Sequence, residues 1–234
     1  MFRNTMFGLL ALVLAVSGSV YLQGCAEKLP TEEEADITTN LPEEFEVGPF
    51  PSGYPQACFY LDVPWMPQLP PGTNWHLTNN CGQACAAMLG GYFNNGSTEP
   101  WVINAENDFL HCSRPYGCQT GASTLQYLLR EFHGLNSNYY HGNGPDDVVM
   151  EGYHGRPVIV GVRTKMTTYG RPHWMLFIGW DGTYMYFNDP GRSVEWGPPE
   201  NPWTWGRYRC RPSRLFASWN SFPNNPRQYI PVYR

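Results

Sequence analysis

Apolar residues recur at a helical period in three segments of the chain. The first covers residues 81–93, behind Asn79 and Asn80, either of which is a natural cap for a helix N-terminus, and Asn-Asn-Gly follows it. The second covers residues 122–134, and a shorter third covers residues 145–155. We therefore expect three helices in the first two thirds of the chain.

The pattern changes after the third helix. Three runs, RPVIVGVRT, PHWMLFIGW and TYMYFND, are continuously apolar or alternate between apolar and polar residues, as strands do. Residues 57–68 form an earlier β-rich segment, and beyond Gly191 we expect irregular structure with one closing strand at QYIPVY. Helices that precede a group of strands indicate an α+β fold with an antiparallel sheet, and not a doubly wound α/β fold.

The N-terminus has the pattern of an export signal. Arg3 precedes a short apolar run, and the segment ends in Leu-Gln-Gly-Cys at Cys25. This ending resembles the lipobox of bacterial lipoproteins, in which the signal is cut before a cysteine that is then acylated. We expect a signal peptide over residues 1–24 and a lipid anchor at Cys25, which would hold the protein on a membrane of the bacterial cell envelope. The alternative is a plain signal peptide followed by an incidental cysteine.

Charge separates a tether from a domain. The chain has a formal net charge of −5, and eight of its 20 acidic residues lie between Ala26 and Pro51, where core-forming residues are few. We interpret residues 25–50 as a solvated tether and residues 51–234 as one domain that is near neutral. Because no cationic cluster or stripe is present, we expect no nucleic-acid partner. We expect a monomer.

The chain contains seven cysteines, and export favours disulfides. Cys112 and Cys118 flank the turn sequence SRPYG, so they are the best candidate pair. Cys58 and Cys210 lie near the two ends of the domain, and we pair them by elimination. With Cys25 reserved for lipid, Cys81 and Cys85 then remain as free thiols.

The spacing of these two thiols separates their roles. Cys81 falls in the first turn of the expected helix, where unpaired backbone N–H groups and the helix dipole lower the pKa of a thiol. Cys85 lies one turn further on, as a small buried apolar residue. A zinc site that also uses Cys112 and Cys118 is an alternative, although its spacings are looser than those of zinc motifs. A thioredoxin-like pair would need C-x2-C, which the sequence lacks.

A nucleophilic thiol needs a base, and His173 and Asp189 are candidates at the ends of two neighbouring strands. If Trp180, Asp181 and Gly182 form a three-residue hairpin loop with Gly182 left-handed, Gly179 pairs with Thr183, and His173 lies opposite Asp189. A two-residue turn would put His173 and Asp189 on opposite faces of the sheet. They could also be ordinary strand-end residues. The other histidines, at positions 76, 111, 133, 141 and 154, are expected at the surface.

Five motifs in order carry a family resemblance: VPWMPQ, NNCGQACAAML, RPVIVGV, HWMLFIGWDG and YMYFNDPG. Together they resemble cysteine peptidases typified by the double-glycine leader peptidases of bacteriocin exporters, especially their free-standing "peptidase C-thirty-nine-like" relatives. The resemblance implies a papain-like fold, in which a cysteine-bearing helix packs against a sheet that carries His and Asp. It implies Cys81 as nucleophile, His173 as base and later acid, Asp189 as the group that orients His173, and Gln68 as side-chain oxyanion donor. Cys85 matches a second, non-catalytic cysteine, and no metal or organic cofactor is implied.

These expectations describe a thiol-dependent hydrolase that cleaves peptide or isopeptide bonds of a peptide or protein substrate through an acyl-enzyme. No ABC-transporter segments follow the matching motifs, so we do not carry over the leader substrate. The insertion HCSRPYGC and the aromatic tail match no motif of the family, so the resemblance does not settle the substrate specificity. One alternative is an inactive papain-like binding module with a ligand platform of tryptophans, namely Trp65, Trp75, Trp174, Trp203 and Trp205. Another is a transglutaminase-like or amidase-like acyl transfer, which uses the same three residue types.

Overall fold

The structure is a computed structural model that describes residues 58–70, 72–74, 77–94, 99, 101–191, 206–223 and 227–234. The expected signal peptide, Cys25 and the acidic tether lie outside the described residues. Within those residues, no helix has the length and apolar character needed to cross a membrane.

Five α-helices are described: α1 (Cys81–Asn94), α2 (Trp101–Phe109), α3 (Ala122–Glu131), α4 (Pro145–Tyr153) and α5 (Pro212–Asn220). The hydrophobic period predicts α1, α3 and α4, and each begins at the predicted residue. The hydrophobic period did not predict α2. The expectation of irregular structure after Gly191 is wrong at α5. Pro212 suits the first turn of a helix, and Leu215 and Trp219 lie on one face of the helix that is buried in the core.

Seven strands form one sheet: β1 (Phe59–Tyr60), β2 (Asn136–Ser137), β3 (Val158–Arg163), β4 (Pro172–Trp180), β5 (Met185–Asn188), β6 (Arg207–Cys210) and β7 (Tyr229–Tyr233). The spatial order is β2-β7-β3-β4-β5-β6, with β1 paired to the end of β4, and all pairs are antiparallel. The three predicted runs form β3, β4 and β5, and the predicted closing strand is β7. The α+β fold is therefore confirmed.

Strand β4 lies at the centre of the fold. Every residue of β4 after Pro172 is buried, because β3 and β5 flank the strand and α1 and α4 pack against it. Helix α1 is buried from Gly82 to Gly90, since it lies between β4 and the helices α2 and α3. Burial on all sides explains why the sequence of α1 carries few polar residues after its first turn.

A buried polar pair joins the helices on the far side of α1. Glu106 of α2 is fully buried, and its Oε1 lies 2.6 Å from Nε2 of His133, which follows α3. Burial raises the pKa of Glu106 well above its usual range and lowers the pKa of His133 to about 4. Both shifts favour the neutral form of the pair, with the proton on Glu106. The expectation that His133 is a surface residue is wrong, because α2 supplies a partner that covers it.

One of the two predicted disulfides is present. Cys112 and Cys118 are bonded, with Cα atoms 5.5 Å apart. The predicted Cys58–Cys210 bridge is wrong: Cys210 is a free, buried thiol whose Sγ lies 3.3 Å from Sδ of Met166. Because β1 pairs with β4 and β6 with β5, two strands separate these cysteines. Strands lie about 4.8 Å apart, so the Cα atoms exceed the roughly 7 Å that a disulfide spans.

Helix α4 approaches the sheet closely at Gly152. A Cβ atom at this position would lie 2.6 Å from a ring carbon of Phe177 and 2.8 Å from one of Phe59. Helix propensity alone favours Gly152→Ala by about 1 kcal/mol. We expect overpacking to dominate, so that the substitution lowers the free energy of unfolding by about 1–3 kcal/mol. Urea denaturation of both proteins measures the change, and a more stable variant would mean that the helix does not contact the sheet at this point.

Candidate active site

The turn between β4 and β5 is longer than predicted. Trp180 pairs with Met185, so four residues connect the strands, and Gly179 pairs with Tyr186 rather than Thr183. The carboxylate of Asp181 explains the extra length, because its Oδ1 accepts hydrogen bonds from the backbone N–H groups of Thr183 at 2.8 Å and Tyr184 at 2.6 Å. Gly182 has the predicted positive φ, at 94°, but the three-residue loop and the direct pairing of His173 with Asp189 are wrong.

A β-bulge restores the contact that the longer turn would prevent. The register shifts by one residue between Phe177 and Gly179, so that Leu176 pairs with Asn188. Continued along the strands, this register puts His173 and Asp189 two residues from direct opposition, on one face of the sheet and at diagonal range. Without the bulge the turn alone would put them on opposite faces. The predicted contact therefore forms through a different register.

The imidazole and the carboxylate are in direct contact. Nε2 of His173 lies 2.7 Å from Oδ1 of Asp189, and each residue is only 7% exposed. The same carboxylate oxygen accepts the backbone N–H of Gly191 at 2.8 Å. The backbone of Asp189 is fixed as well: its carbonyl accepts Nε1–H of Trp65 at 2.9 Å, and its N–H donates to the carbonyl of Gly206 at 2.6 Å. The carboxylate is therefore rigidly aimed at Nε2.

Cys81 completes the arrangement from the other side. It is the first residue of α1 and is partly exposed. Its sulfur interacts with the side chain of His173 and with the backbone N–H groups of Trp174 and Gly82, and each of these interactions lowers its pKa. Because Asp189 occupies Nε2 of His173, Nδ1 is the ring nitrogen left for the sulfur. The structure thus brings together Cys81, His173 and Asp189.

The charges of the two groups stabilise each other. Burial by itself raises the pKa of Cys81, but the hydrogen bond and positive charge of His173 and the backbone N–H groups outweigh it, so the pKa is lowered. Burial by itself lowers the pKa of His173, but the charge and hydrogen bond of Asp189, with smaller contributions from Cys81, raise it to about 10. These shifts favour the thiolate–imidazolium form of the pair, in which both ring N–H groups donate.

Gln68 is tied to both halves of the site through its backbone. Its N–H donates to the carbonyl of Pro190 at 2.9 Å, and its carbonyl accepts Oγ1–H of Thr78 at 3.1 Å. Thr78 lies just before α1, and Pro190 follows Asp189. The side chain of Gln68 is buried, and among the described residues its Oε1 has no hydrogen-bond partner.

Sequence comparison assigns the chain to a family. The sequence model of the Peptidase_C39 like family matches residues 60–210, which include every residue of the site just described. The chain belongs to this family. No curated protein sequence matches the chain.

Two solved structures are similar to this C39-like chain. A C39-like peptidase from Bacillus anthracis aligns with a TM-score of 0.53 and 15% identity, over 76% of this chain and 98% of the other. A double-glycine motif protease from an AMS/PCAT transporter, in complex with the leader peptide, aligns with a TM-score of 0.44 and 20% identity, over 74% and 91% of the two chains. The first likeness agrees with the papain-like α+β fold that the sequence motifs imply.

Cys85, Trp65 and Trp174 have structural roles in the C39-like chain. Cys85 is fully buried, and burial raises its pKa well above the usual range, as expected for a core residue. The zinc alternative loses two of its ligands to the Cys112–Cys118 disulfide. Trp65 donates to the backbone of Asp189, and Trp174 donates from Nε1 to the carbonyl of Thr120 at 2.8 Å. The other tryptophans of the expected ligand platform, at positions 75, 203 and 205, lie outside the described residues.

The residues that support the site were not predicted. Trp65 contacts Asp189 from a distant part of the chain, Thr78 joins the loop at Gln68 to the start of α1, and Asn80 was predicted only as a helix cap. No spacing or period reports such contacts, because they depend on how loops fold against α1 and β5. The motif VPWMPQ, which contains Trp65, was a signal that this segment matters but not of how it acts.

The interaction between Cys81 and His173 predicts how the alkylation rate of Cys81 depends on pH. An ordinary thiol of pKa about 8.5 is only about 1% ionised at pH 6.5, whereas a larger fraction of Cys81 should be thiolate there because its pKa is lowered. We expect iodoacetamide to alkylate Cys81 readily at pH 6.5. In His173→Ala the lowering contributions of the imidazolium are lost, the pKa of Cys81 rises, and the rate should fall at least about tenfold.

Mass spectrometry of tryptic peptides after alkylation at several pH values measures these rates. Cys85 and Cys210 are internal controls, since both are buried and have raised pKa values, and they should stay unmodified while the protein is folded. Equal rates at pH 6.5 for the wild type and His173→Ala would show that His173 does not activate the thiol.

Proposed function

We propose that this chain is a cysteine peptidase that cleaves peptide or isopeptide bonds through an acyl-enzyme on Cys81. The observation that carries the proposal is the series of interactions from the buried Asp189 through His173 to a partly exposed sulfur whose pKa is lowered. A thiol held only for packing would not need an imidazolium beside it, and an imidazolium held only for structure would not need an exposed thiol.

The first step would be attack by the Cys81 thiolate on the substrate carbonyl carbon. As the S–C bond forms, the π electrons of the carbonyl move to its oxygen. The backbone N–H of Cys81 is free of helix hydrogen bonds at this position of α1, and the side-chain amide of Gln68 is the second donor to that oxyanion. Removal of one such donor typically costs about 10²–10³-fold in rate.

The second step would break the C–N bond. The His173 imidazolium transfers the proton on Nδ1 to the leaving amine, and a thioester on Cys81 remains. The neutral imidazole then accepts a proton from water as the water oxygen attacks the thioester, and the S–C bond breaks to regenerate the thiolate. Asp189 stays ionised throughout and keeps the Nε2–H of His173 in place.

The N-terminal sequence extends the proposal to a location. With a signal peptide over residues 1–24 and a lipid on Cys25, the peptidase domain would act on peptides or proteins of the bacterial cell envelope. The retained Cys112–Cys118 disulfide is the kind of bond that persists in such an oxidising compartment.

The test is hydrolysis by the full chain and its Cys81→Ala variant. Each protein is incubated with a mixture of peptides of diverse sequence, and mass spectrometry identifies the fragments. We expect the wild type to produce fragments that Cys81→Ala does not, and Cys85→Ala, a matched cysteine one turn further along α1, to retain activity. Asp189→Asn should retain more activity than Asp189→Ala, because the amide oxygen still accepts Nε2–H.

The proposal is wrong if the wild type and Cys81→Ala release the same fragments, or if neither releases any. A wild type that hydrolyses nothing and whose Cys81 resists alkylation would be a papain-like binding module. Transfer of the acyl group to an added amine faster than to water would make the reaction a transglutaminase-like acyl transfer.

A further inference from the structure

A cluster of buried polar side chains lies directly behind the first turn of α1. We call Thr78, Asn80, Gln83 and Asn107 the Asn80 cluster. Thr78 is 8% exposed and the other three are fully buried. Buried amides at a helix N-terminus are costly unless every group is paired, so their arrangement calls for a physical reason.

Asn80 uses both ends of its side chain within this cluster. Its Nδ2 donates to Oγ1 of Thr78 at 2.5 Å and to the carbonyl of Pro115 at 2.9 Å. Its Oδ1 accepts Nδ2–H of Asn107 at 3.0 Å. Asn80 therefore does not cap α1 with its side chain, although its backbone carbonyl accepts the N–H of Ala84 at 2.9 Å and so begins the helix.

One side of the cluster leads to Gln68. Oγ1 of Thr78 donates to the carbonyl of Gln68 and accepts the backbone N–H of Asn80 at 3.2 Å. Two hydrogen bonds thus connect the backbone of Gln68 to the residue that precedes Cys81. Gln68 and Cys81 are the two residues that supply the oxyanion donors in the proposed mechanism.

The other side of the cluster rests on the disulfide-closed loop. Besides the carbonyl of Pro115, which bonds to Asn80, the carbonyl of Tyr116 in this loop accepts the backbone N–H of Asn79 at 2.8 Å. Gly117 has a positive φ of 71°, and a Cβ there would lie 1.9 Å from Oδ1 of Asn80, so the loop backbone packs directly on the amide. The Cys112–Cys118 bond closes this loop and keeps its carbonyls in place.

We propose that Asn80 is a positioning residue that sets the spacing between the side-chain donor of Gln68 and the backbone donor of Cys81. The inference rests on the proposed function, since it assigns a positioning residue to the oxyanion donors of that mechanism. An amide is required at this position because it must donate to Thr78 and Pro115 and accept from Asn107 at once. A hydrocarbon side chain would remove all three of these hydrogen bonds.

The cluster acts on the oxyanion and not on the thiolate. The groups that lower the pKa of Cys81 are His173 and the backbone N–H groups of Trp174 and Gly82, and none of them belongs to the Asn80 cluster. Loss of Asn80 should therefore weaken the stabilisation of a bound oxyanion while the sulfur stays nucleophilic.

Two thiol-directed probes separate these effects in the full chain. Iodoacetamide alkylates the sulfur and forms no oxyanion. A short peptide aldehyde that ends in glycinal adds reversibly: the S–C bond forms, and the π electrons of the carbonyl move to its oxygen, which the two donors then bind. The dissociation constant of the aldehyde thus reports the oxyanion donors without requiring turnover.

We expect Asn80→Ala to weaken aldehyde binding about 10- to 100-fold, which is at or below the cost of a lost oxyanion donor because the donor is displaced and not removed, and to change the alkylation rate less than about threefold. In a Gln68→Ala background the same substitution should change aldehyde binding less than about threefold, because the donor that it positions is gone. Thr78→Val removes the hydroxyl that bonds both to the Asn80 amide and to the Gln68 carbonyl, with a nearly isosteric side chain, and should repeat the pattern if Asn80→Ala does not fold.

The matched control is Asn143→Ala, which removes a side-chain hydrogen bond to Oη of Tyr229 far from α1 and should leave both probes unchanged. The inference is overturned if Asn80→Ala costs the same in both backgrounds, if alkylation and aldehyde binding fall together, or if the wild type is alkylated but does not bind the aldehyde. A wild type that is alkylated and binds the aldehyde but hydrolyses no peptide would contradict the proposed function alone. A wild type that resists alkylation would overturn both.

Discussion

The pairing of β4 with β5 brings an imidazole and a carboxylate onto one face of the sheet, and the rest of the site is built around that contact. Side chains alternate between the two faces along a strand. The number of turn residues and the extra residue of the bulge together set the register, and the register decides whether His173 and Asp189 lie on one face. The Asp181 carboxylate lengthens the turn, and the bulge at Ile178 compensates for it. Gly191 then lies beside the imidazole, where a side chain would not fit.

Different depths of burial give the three groups of the site different properties. The imidazole and the carboxylate are almost wholly buried, where their attraction is strong and water does not compete for the hydrogen bond. The Cys81 sulfur is partly exposed at the start of α1, within reach of a ligand. Burial of His173 alone would favour a neutral ring, and it is Asp189 that reverses this preference. An imidazolium held in this way stabilises a thiolate that solvent can reach.

Segments distant in sequence converge on the site through backbone contacts. The segment that contains Trp65 and Gln68 bonds to the end of β5, and the residues before α1 bond to the disulfide loop. Asn80 lies where these contacts meet, so the loop insertion HCSRPYGC packs against the residues that precede Cys81 and is not a surface addition.

Local pattern determined much of this protein. The start of α1 at Cys81, the three central strands and the Cys112–Cys118 pair follow from periodicity, capping and short spacing, which act between residues close in sequence. The choice of His173 and Asp189 as partners also came from sequence, although the register used to justify it was wrong. Only the tertiary structure decided the bulge, the separation of Cys58 from Cys210, and the burial of a histidine expected at the surface. Each of these depends on which distant segment packs against a residue, and a one-dimensional pattern does not contain that information.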